Sequence, residues 1–584
     1  MPETTSGGGQ GGPSQEHFDA VVVGSGFGGS VTAFRLADAG MSVCVLERGK
    51  PYPPGSFPRA PHEMSRNFWD PSEGLYGMFD LWSFSGIEAV VSSGLGGGSL
   101  IYANVLIRKD ERWFVHEPLP GGGYEDWPVC REELDPHYAT VEEMMDAQPY
   151  PLDTKPYDRT EKTKALREAA DKLGMEWGLP NLAVTFRKGG RNSPVSEPGQ
   201  EFDDGSRNLH GMPRSTCRLV GECDIGCNYG SKNSLDFTYL TAARDKKAEI
   251  CTGCEVRSFA PRNGGGFEVR YVQHREEFEG QKIDTRWLPT SRLTCEHLIL
   301  SAGTLGTTYL LLKNRSMFPR LSPMLGTRFS GNGDFLGFVF KASRMENGVE
   351  VPRVLNPAYG PAITSFARSP DFVDGGTSRG FYIEDAGYPQ FINWLVEEGL
   401  PSQFARVARF ALRRAWSSLT KSPKSEIGSS ISDALGRNML TATSVPMLGM
   451  GRDVPDGRMR LRQGRLDVDW AARGSKPYFD RMNQTMKDIG RALGGHYIAN
   501  PLWWLNLLIT VHPLGGCPMG RDASRGVVDP WGQVFGYPGL SIADGSVMPG
   551  PVGPNPSLTI AALADRFAER ILDQRSTGAK EASM

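Results

Sequence analysis

Two strings near the C-terminus combine residue types able to move and steer a proton. Val511-His512-Pro513-Leu514-Gly515-Gly516-Cys517 presents one histidine ahead of a glycine turn, and Gly553-Pro554-Asn555-Pro556 presents one asparagine ahead of the patterned run Ser557 to Ile571. An imidazole takes or returns a proton near neutral pH. A side-chain amide donates and accepts, so Asn555 can fix the orientation of a hydroxyl. Pro556 suits the first turn of a helix, whose positive end favours negative charge beside it. A lone histidine in such a string otherwise caps a turn. The Asn-Pro and helix start in the following string mark His512 and Asn555 as catalytic candidates.

The opposite end of the chain offers a phosphate site. Phe18 to Val23 is an apolar, β-branched run that predicts a buried parallel strand. Gly24-Ser25-Gly26-Phe27-Gly28-Gly29 follows at once, then a helix-like run over Ser30 to Ala39 and a second apolar strand ending in Glu47. This is strand, G-x-G-x-x-G, helix, strand, acid, with the acid about 20 residues past the glycines. Gly24 permits the tight turn, Gly26 lets backbone approach a pyrophosphate, and Gly29, or Gly28 beside it, lets helix pack on strand. Glu47 can accept from ribose hydroxyls. With 71 glycines in 584 residues the string alone is weak, and it gains weight from the strand, helix and acid around it. It does not distinguish FAD from NAD. One site closed by both chain ends is expected.

Composition sets bounds. Hydrophobic residues make up 39% and charged residues 22%, as in a soluble globular protein of two or three domains' worth of core. A net charge of -3 gives no support for nucleic-acid binding. No apolar run reaches the roughly 18 residues of a membrane helix. Residues 1–17 lack the basic and apolar regions of a signal peptide and read as a disordered tail. A cytoplasmic location is expected, with secretion of a trimmed form left open. The nine cysteines include Cys217, Cys223 and Cys227 and the pair Cys251 and Cys254. Their spacing does not suit zinc or iron–sulfur ligation, so no metal is expected.

Other segments frame these ends. Residues 51–93 are rich in Pro, Trp and Phe without clear periodicity, which fits a long excursion over a pocket. Gly94-Leu95-Gly96-Gly97-Gly98-Ser99, followed by LIYANV, needs backbone room against something flat or phosphorylated. A helical patch falls near REELDPHYATVEEMMDA, a β-hairpin over CEVRSFAPRNGGGFEVRYVQ, and a buried strand and helix start over Leu298 to Gly306. The run FINWLVEEGLPSQFARVARFALRRAW is amphipathic and basic on one side; it reads as a lid or core-facing helix, with a membrane-surface helix as the alternative.

In order along the chain, GSGFGG with Glu47, GLGGGSLIYANV, LILSAGTLGTT, HPLGGC and ADGSVMPGPVGPNPSLTIAALADR resemble the glucose–methanol–choline (GMC) family of FAD oxidoreductases, and within it bacterial cholesterol oxidases with non-covalent FAD. The matches run from residue 18 to about 572, and the middle block matches least. The resemblance implies an α/β fold: a Rossmann-like FAD-binding domain (18–110, 228–330 and 506–584) and a discontinuous α+β substrate-binding domain on a β-sheet with helices (111–227 and 331–505). It implies that Gly24, Gly26, Phe27, Gly28, Gly29, Glu47 and Arg48 hold the ADP half of FAD, with Val256 at the adenine and Ala302 and Gly303 nearby. Gly96, Gly97, Gly98, Ser99 and Asn104 would line the flavin. Asp544 and Gly545 would meet the pyrophosphate and ribityl chain, and Asn555 and Pro556 the flavin.

His512 would then be the catalytic base, with Asn555 across the substrate oxygen. Glu384, five positions before Pro389, would be the base that shifts a steroid double bond, with adjacent Asp385 as the other candidate. The implied reaction is oxidation of a small lipophilic alcohol, a sterol 3β-hydroxyl first, with oxygen or another acceptor taking the electrons. Another long-chain or terpenoid alcohol, or a non-redox lyase of the same fold, remains open. So do the electron acceptor, the oligomeric state and peripheral membrane contact.

Overall fold

The computed structural model describes residues 12–118, 124–203, 208–388, 442–470, 474–500, 503 and 507–582. Five parallel strands lie in the order Glu249–Cys251, Val43–Leu46, His17–Val23, Thr290–Leu300, Leu540–Ile542. Their side chains are apolar on both faces because helices cover both, and Ala20, Val21 and Val22 keep no exposed surface. The chain leaves His17–Val23, forms the helix Phe27–Asp38 and returns as Val43–Leu46. The strand Thr290–Leu300 serves two partners along one edge. Its first half pairs antiparallel with Phe267–Gln273, the return of a hairpin from Cys254–Pro261, and its second half pairs parallel with Leu540–Ile542. Cys251 and Cys254 thus sit on two successive strands.

The C-terminal helix Ser557–Ala582 packs on Phe27–Asp38, and the Arg35–Asp565 ion pair (2.6 Å) ties them. The helix Arg131–Met144 packs on it too, with Leu134, Tyr138 and Val141 in the same core as the parallel strands. This part of 111–227 therefore sides with the nucleotide fold, since its apolar stripe can be covered there.

A second, antiparallel sheet has the order Glu176–Gly178, Phe366–Ser369, Phe381–Asp385, Val445–Gly451, Phe335–Phe340, His496–Ala499. Strand periodicity divides its residues. Phe335, Val339, Ile383 and Met447 share a core with Phe479, Met482 and Met486 of the helix Lys476–Ala492. Leu336, Phe338, Phe340 and Leu448 lie instead on the wall of a cavity.

Buried charges join the two sheets' surroundings. Arg452 pairs with Asp371 (2.9 Å) and approaches Glu125 (3.4 Å), and Arg379 pairs with Glu125 (2.9 Å). Removing one partner would leave a buried charge uncompensated, at a cost of about 3–5 kcal/mol. The run 391–416, expected as an amphipathic helix, lies outside the described residues. Among the described residues no helix is long and apolar enough to cross a membrane.

Candidate active site

The carboxyl ends of the parallel strands open onto one cavity of about 1970 Å³, above the roughly 300–1,000 Å³ of a single small-molecule pocket. It runs from Glu47, Arg48 and Val256 past Gly26 and Gly303 to His512 and Asn555. This is the crevice where strand order reverses, the place such folds bind dinucleotides. Gly24 has φ +100°, and a Cβ there would lie 2.3 Å from the Ser301 carbonyl oxygen. A Cβ on Gly28 would lie 1.4 Å from the Ala543 carbonyl oxygen, so this glycine closes helix against strand. Gly26 differs: a Cβ there meets nothing within 4 Å and would project into open space ahead of the helix Phe27–Asp38. That helix has no side-chain cap at Gly26, so its first N–H groups and its positive end face the cavity.

Several groups fit a bound dinucleotide. Glu47 accepts from the Ser25 N–H (3.1 Å), the Ser25 hydroxyl (2.6 Å) and the Gly49 N–H (2.8 Å), which leaves about one of its four lone-pair positions for a ribose hydroxyl. Val256 lies at a bulge in its hairpin pairing. Arg48 pairs with Asp80 (2.5 Å) and covers the Trp69 ring. Asp544 accepts from the Ser546 N–H (2.9 Å) and hydroxyl (2.6 Å) and from Thr307 (2.5 Å), and so fixes the turn that carries Gly545; burial pushes its carboxyl up. Phe27, Gly97, Gly98, Ala302 and Pro556 also line the cavity. The Thr304 and Tyr102 hydroxyls on the lining are buried without a partner among the described residues, as polar atoms awaiting a ligand are, whereas the Asn104 amide, which also lacks one there, is not among the lining residues. Gly29, Gly96 and Ser99 lie just behind the lining. Gly29 packs on the Gly24 carbonyl, Gly96 donates to Ser25 Oγ (3.0 Å), and Ser99 Oγ donates to the Gly96 carbonyl (2.7 Å).

His512 follows the strand Leu508–Thr510, which pairs parallel with the start of Ile87–Ser92. Its Nδ1 lies 2.8 Å from Asp334 Oδ1. Asp334 Oδ2 accepts from the N–H groups of Val511 (2.8 Å) and His512 (3.1 Å) and lies 3.0 Å from the Thr510 hydroxyl. A carboxylate facing these donors makes Nδ1 carry the proton and leaves Nε2 as a proton acceptor. The sequence reading did not find Asp334. Its only signal is a Gly331-Asn332-Gly333-Asp334 turn ahead of a strand, 178 positions from its partner.

Asn555 is held from behind. Lys109 Nζ donates to the carbonyls of Pro551 (2.9 Å) and Val552 (3.0 Å). The Asn332 side chain accepts from the Gly553 N–H (2.9 Å) and donates to the Pro554 carbonyl (3.1 Å). Asn555 Nδ2 points at Glu384 Oε2 (3.4 Å), while Asn555 Oδ1 and Glu384 Oε1 are buried without partners among the described residues. Burial pushes the Glu384 carboxyl well above the usual range, and the charges of Asp385 and Asp334 add to this. Asp385, on the other face of the strand, is fully engaged. It accepts from the N–H groups of Thr364 (3.0 Å) and Ser365 (2.6 Å) and from the hydroxyls of Thr364 (2.6 Å) and Thr163 (3.0 Å), with Lys162 at 3.4 Å. Of the two carboxyls, only Glu384 reaches Asn555.

Residues 455–564 match the family model described as GMC oxidoreductase, and residues 22–53 match the NAD(P)-binding Rossmann-like domain. The chain is 29% identical over 565 residues to a cholesterol oxidase of Mycobacterium tuberculosis, covering 94% of this chain and 90% of that one. It is 27% identical to a cholesterol oxidase of Acinetobacter baumannii (94% and 93% covered) and 24% identical to a long-chain-alcohol oxidase of Arabidopsis thaliana (95% and 67% covered). Among solved structures, pyridoxine 4-oxidase from Mesorbium loti shares the fold at a TM-score of 0.54 and 16% identity, with 94% of this chain and 98% of that one covered.

Proposed function

As this chain is an FAD-dependent alcohol oxidoreductase of the GMC family, we propose that it oxidises a lipophilic alcohol, with the 3β-hydroxyl of a sterol as the leading substrate. The observation that carries this reading is the His512–Asp334 pair, which shares one cavity with the dinucleotide cradle and with the apolar sheet face of Leu336, Phe338, Phe340 and Leu448. That face can accept a hydrocarbon skeleton through burial alone. Bound FAD supplies the hydride acceptor.

The chain's own residues do the rest. His512 Nε2 takes the hydroxyl proton, and Asp334 holds the ring and stabilises the charge it gains. Asn555 Nδ2 donates to the substrate oxygen as negative charge grows on it, and so fixes the carbon's orientation. The Asn555 loop cannot drift, because Lys109 and Asn332 grip its backbone. The positive end of the helix Ser557–Ala582 favours negative charge at the same end of the cavity. In this reading Glu384, beside Asn555, is the base that shifts a double bond next to the newly formed ketone, and it must first give up the proton that burial makes it hold.

The test is an anaerobic visible spectrum of the purified yellow protein with cholesterol, then with long-chain primary alcohols. Bleaching by cholesterol supports the sterol reading. Bleaching by long-chain alcohols alone transfers the substrate to that class, as the similarity to a long-chain-alcohol oxidase allows. A flavin band unchanged by every alcohol refutes the redox reading and favours a non-redox lyase.

A further inference from the structure

Asp224 is a carboxyl on the cavity wall that the reaction above does not use. It lies in the short turn Cys223–Ile225. Ala362 donates its N–H to Cys223 Sγ (3.4 Å), and Ile363 lines the cavity with Ala386, Gly387 and Tyr388, which follow Glu384 and Asp385 in the chain. The Lys162 ammonium acts on both Asp224 and Glu384, and Lys232, which acts on Asp224 too, holds the carbonyls of Leu100 and Tyr102, so the turn stands between the residues around Glu384 and the segment that follows the glycine loop.

The carboxyl has no hydrogen-bond donor among the described residues. The two cations that influence it are Lys232 and Lys162, and both are committed elsewhere. Lys232 donates to the carbonyls of Leu100 (3.0 Å), Tyr102 (2.8 Å) and Cys223 (2.9 Å). Lys162 donates to the carbonyls of Ala362 and Asp385 (both 2.9 Å) and approaches the Asp385 carboxylate. Burial pushes the Asp224 carboxyl up to about 6, and these lysines hold it down only in part. The carboxyl is half-buried and opens onto the cavity, so a ligand that displaces its water must supply a donor in exchange. The missing partner is a donor. A cation is the weaker candidate because the charges of Lys232 and Lys162 already act on this carboxyl; a neutral hydroxyl meets no such repulsion.

We propose that Asp224 accepts a hydrogen bond from a second hydroxyl of the substrate, away from the carbon held at His512, so that the enzyme prefers a lipophilic diol to the matching mono-alcohol. The proposal rests on the alcohol-oxidising reading of this cavity and names its substrate class more closely.

The experiment compares kcat and KM for matched pairs: steroid 3β-mono-ols against diols with a second hydroxyl on the far ring, and 1-alkanols against α,ω-diols of the same chain length. Each pair is run on the holoenzyme and on Asp224→Leu and Asp224→Asn. The expected result is that the best diol exceeds its mono-ol at least about tenfold in kcat/KM, through KM, because a hydrogen bond to a charged acceptor is worth that much. Asp224→Leu should shrink the advantage below about threefold, and Asp224→Asn, whose amide oxygen still accepts, should keep part of it. A far-ring amine in place of the hydroxyl should show no advantage. Turnover of mono-ols and diols at equal kcat/KM, or a diol advantage that Asp224→Leu leaves intact, overturns the proposal while leaving alcohol oxidation standing. Failure of every alcohol to be turned over refutes the underlying reading instead. If Asp224→Leu fails to bind FAD, the same ratio in Asp224→Asn decides the matter.

Discussion

Replacing Asp334 with Asn should disable His512 while leaving shape almost unchanged. Asp334 Oδ1 faces His512 Nδ1 at 2.8 Å, and Oδ2 faces two backbone N–H donors at 2.8 and 3.1 Å. An amide can serve only one side with its oxygen. If the oxygen faces the imidazole, the amide N–H₂ is driven against two donors, and two acceptor bonds are lost at about 1 kcal/mol each or more. If the oxygen faces the backbone, only the imidazole contact changes, so this orientation wins. The N–H₂ then donates to Nδ1, the ring proton moves to Nε2, and the substrate hydroxyl loses its acceptor. Removing a positioned base costs about 10²–10⁴ in rate, or roughly 3–5 kcal/mol at 1.36 kcal/mol per tenfold. The assay is anaerobic stopped-flow reduction of the flavin by the best alcohol, with FAD content and substrate dissociation constant measured in parallel. The expected outcome is a fall in the limiting reduction rate of at least about 100-fold, with FAD content and substrate affinity retained. A rate within about threefold of the parent would refute the assignment of the tautomer and with it the role of the pair.

Four further outcomes are expected. Gly26→Ala should fold and lose FAD affinity at least about tenfold, because its Cβ enters open space where phosphates sit, whereas Gly28→Ala should lose more than about 3 kcal/mol of stability against the Ala543 carbonyl; titration of apoprotein with FAD and thermal melts separate the two. Glu384→Gln should leave alcohol oxidation within a few-fold while abolishing formation of a conjugated enone from a Δ5-sterol, followed by ultraviolet absorbance. Because the folded Glu384 carboxyl keeps its proton above the pH at which the unfolded one ionises, the unfolded chain binds fewer protons in that range. Wild-type stability should therefore fall with rising pH above about 4.3 relative to Glu384→Gln, and parallel melting curves would refute the raised proton affinity. Acid precipitation should release the yellow chromophore into the supernatant, since the flavin-side loop Gly94–Ser99 offers no His, Cys or Tyr for a covalent bond; colour kept in the pellet would contradict this.

The elements that hold the nucleotide were legible because they are local. An apolar β-branched run, a glycine turn and a helix start within about 30 residues dictate strand, turn and helix from their own sterics and hydrogen bonding. His-Pro-Leu-Gly-Gly and Asn-Pro were legible for the same reason, each being a short string with one chemically active residue. The glycine roles were readable only as a set; which one faces the cofactor and which closes the packing depended on where the Ala543 and Ser301 carbonyls lie. Glu384 and Asp385 could not be ranked in the sequence. Strand periodicity sends neighbours to opposite faces, but only the packed sheet says which face meets Asn555 and which meets Lys162 and Thr364. Asp334 and Lys109 were invisible for a related reason. Their work is done on residues 178 and more than 440 positions away, through contacts that no local pattern encodes and that exist only once both sheets have closed the cavity. Short-range sterics thus determined what the segments are, and long-range packing and charge burial decided which of their side chains meet.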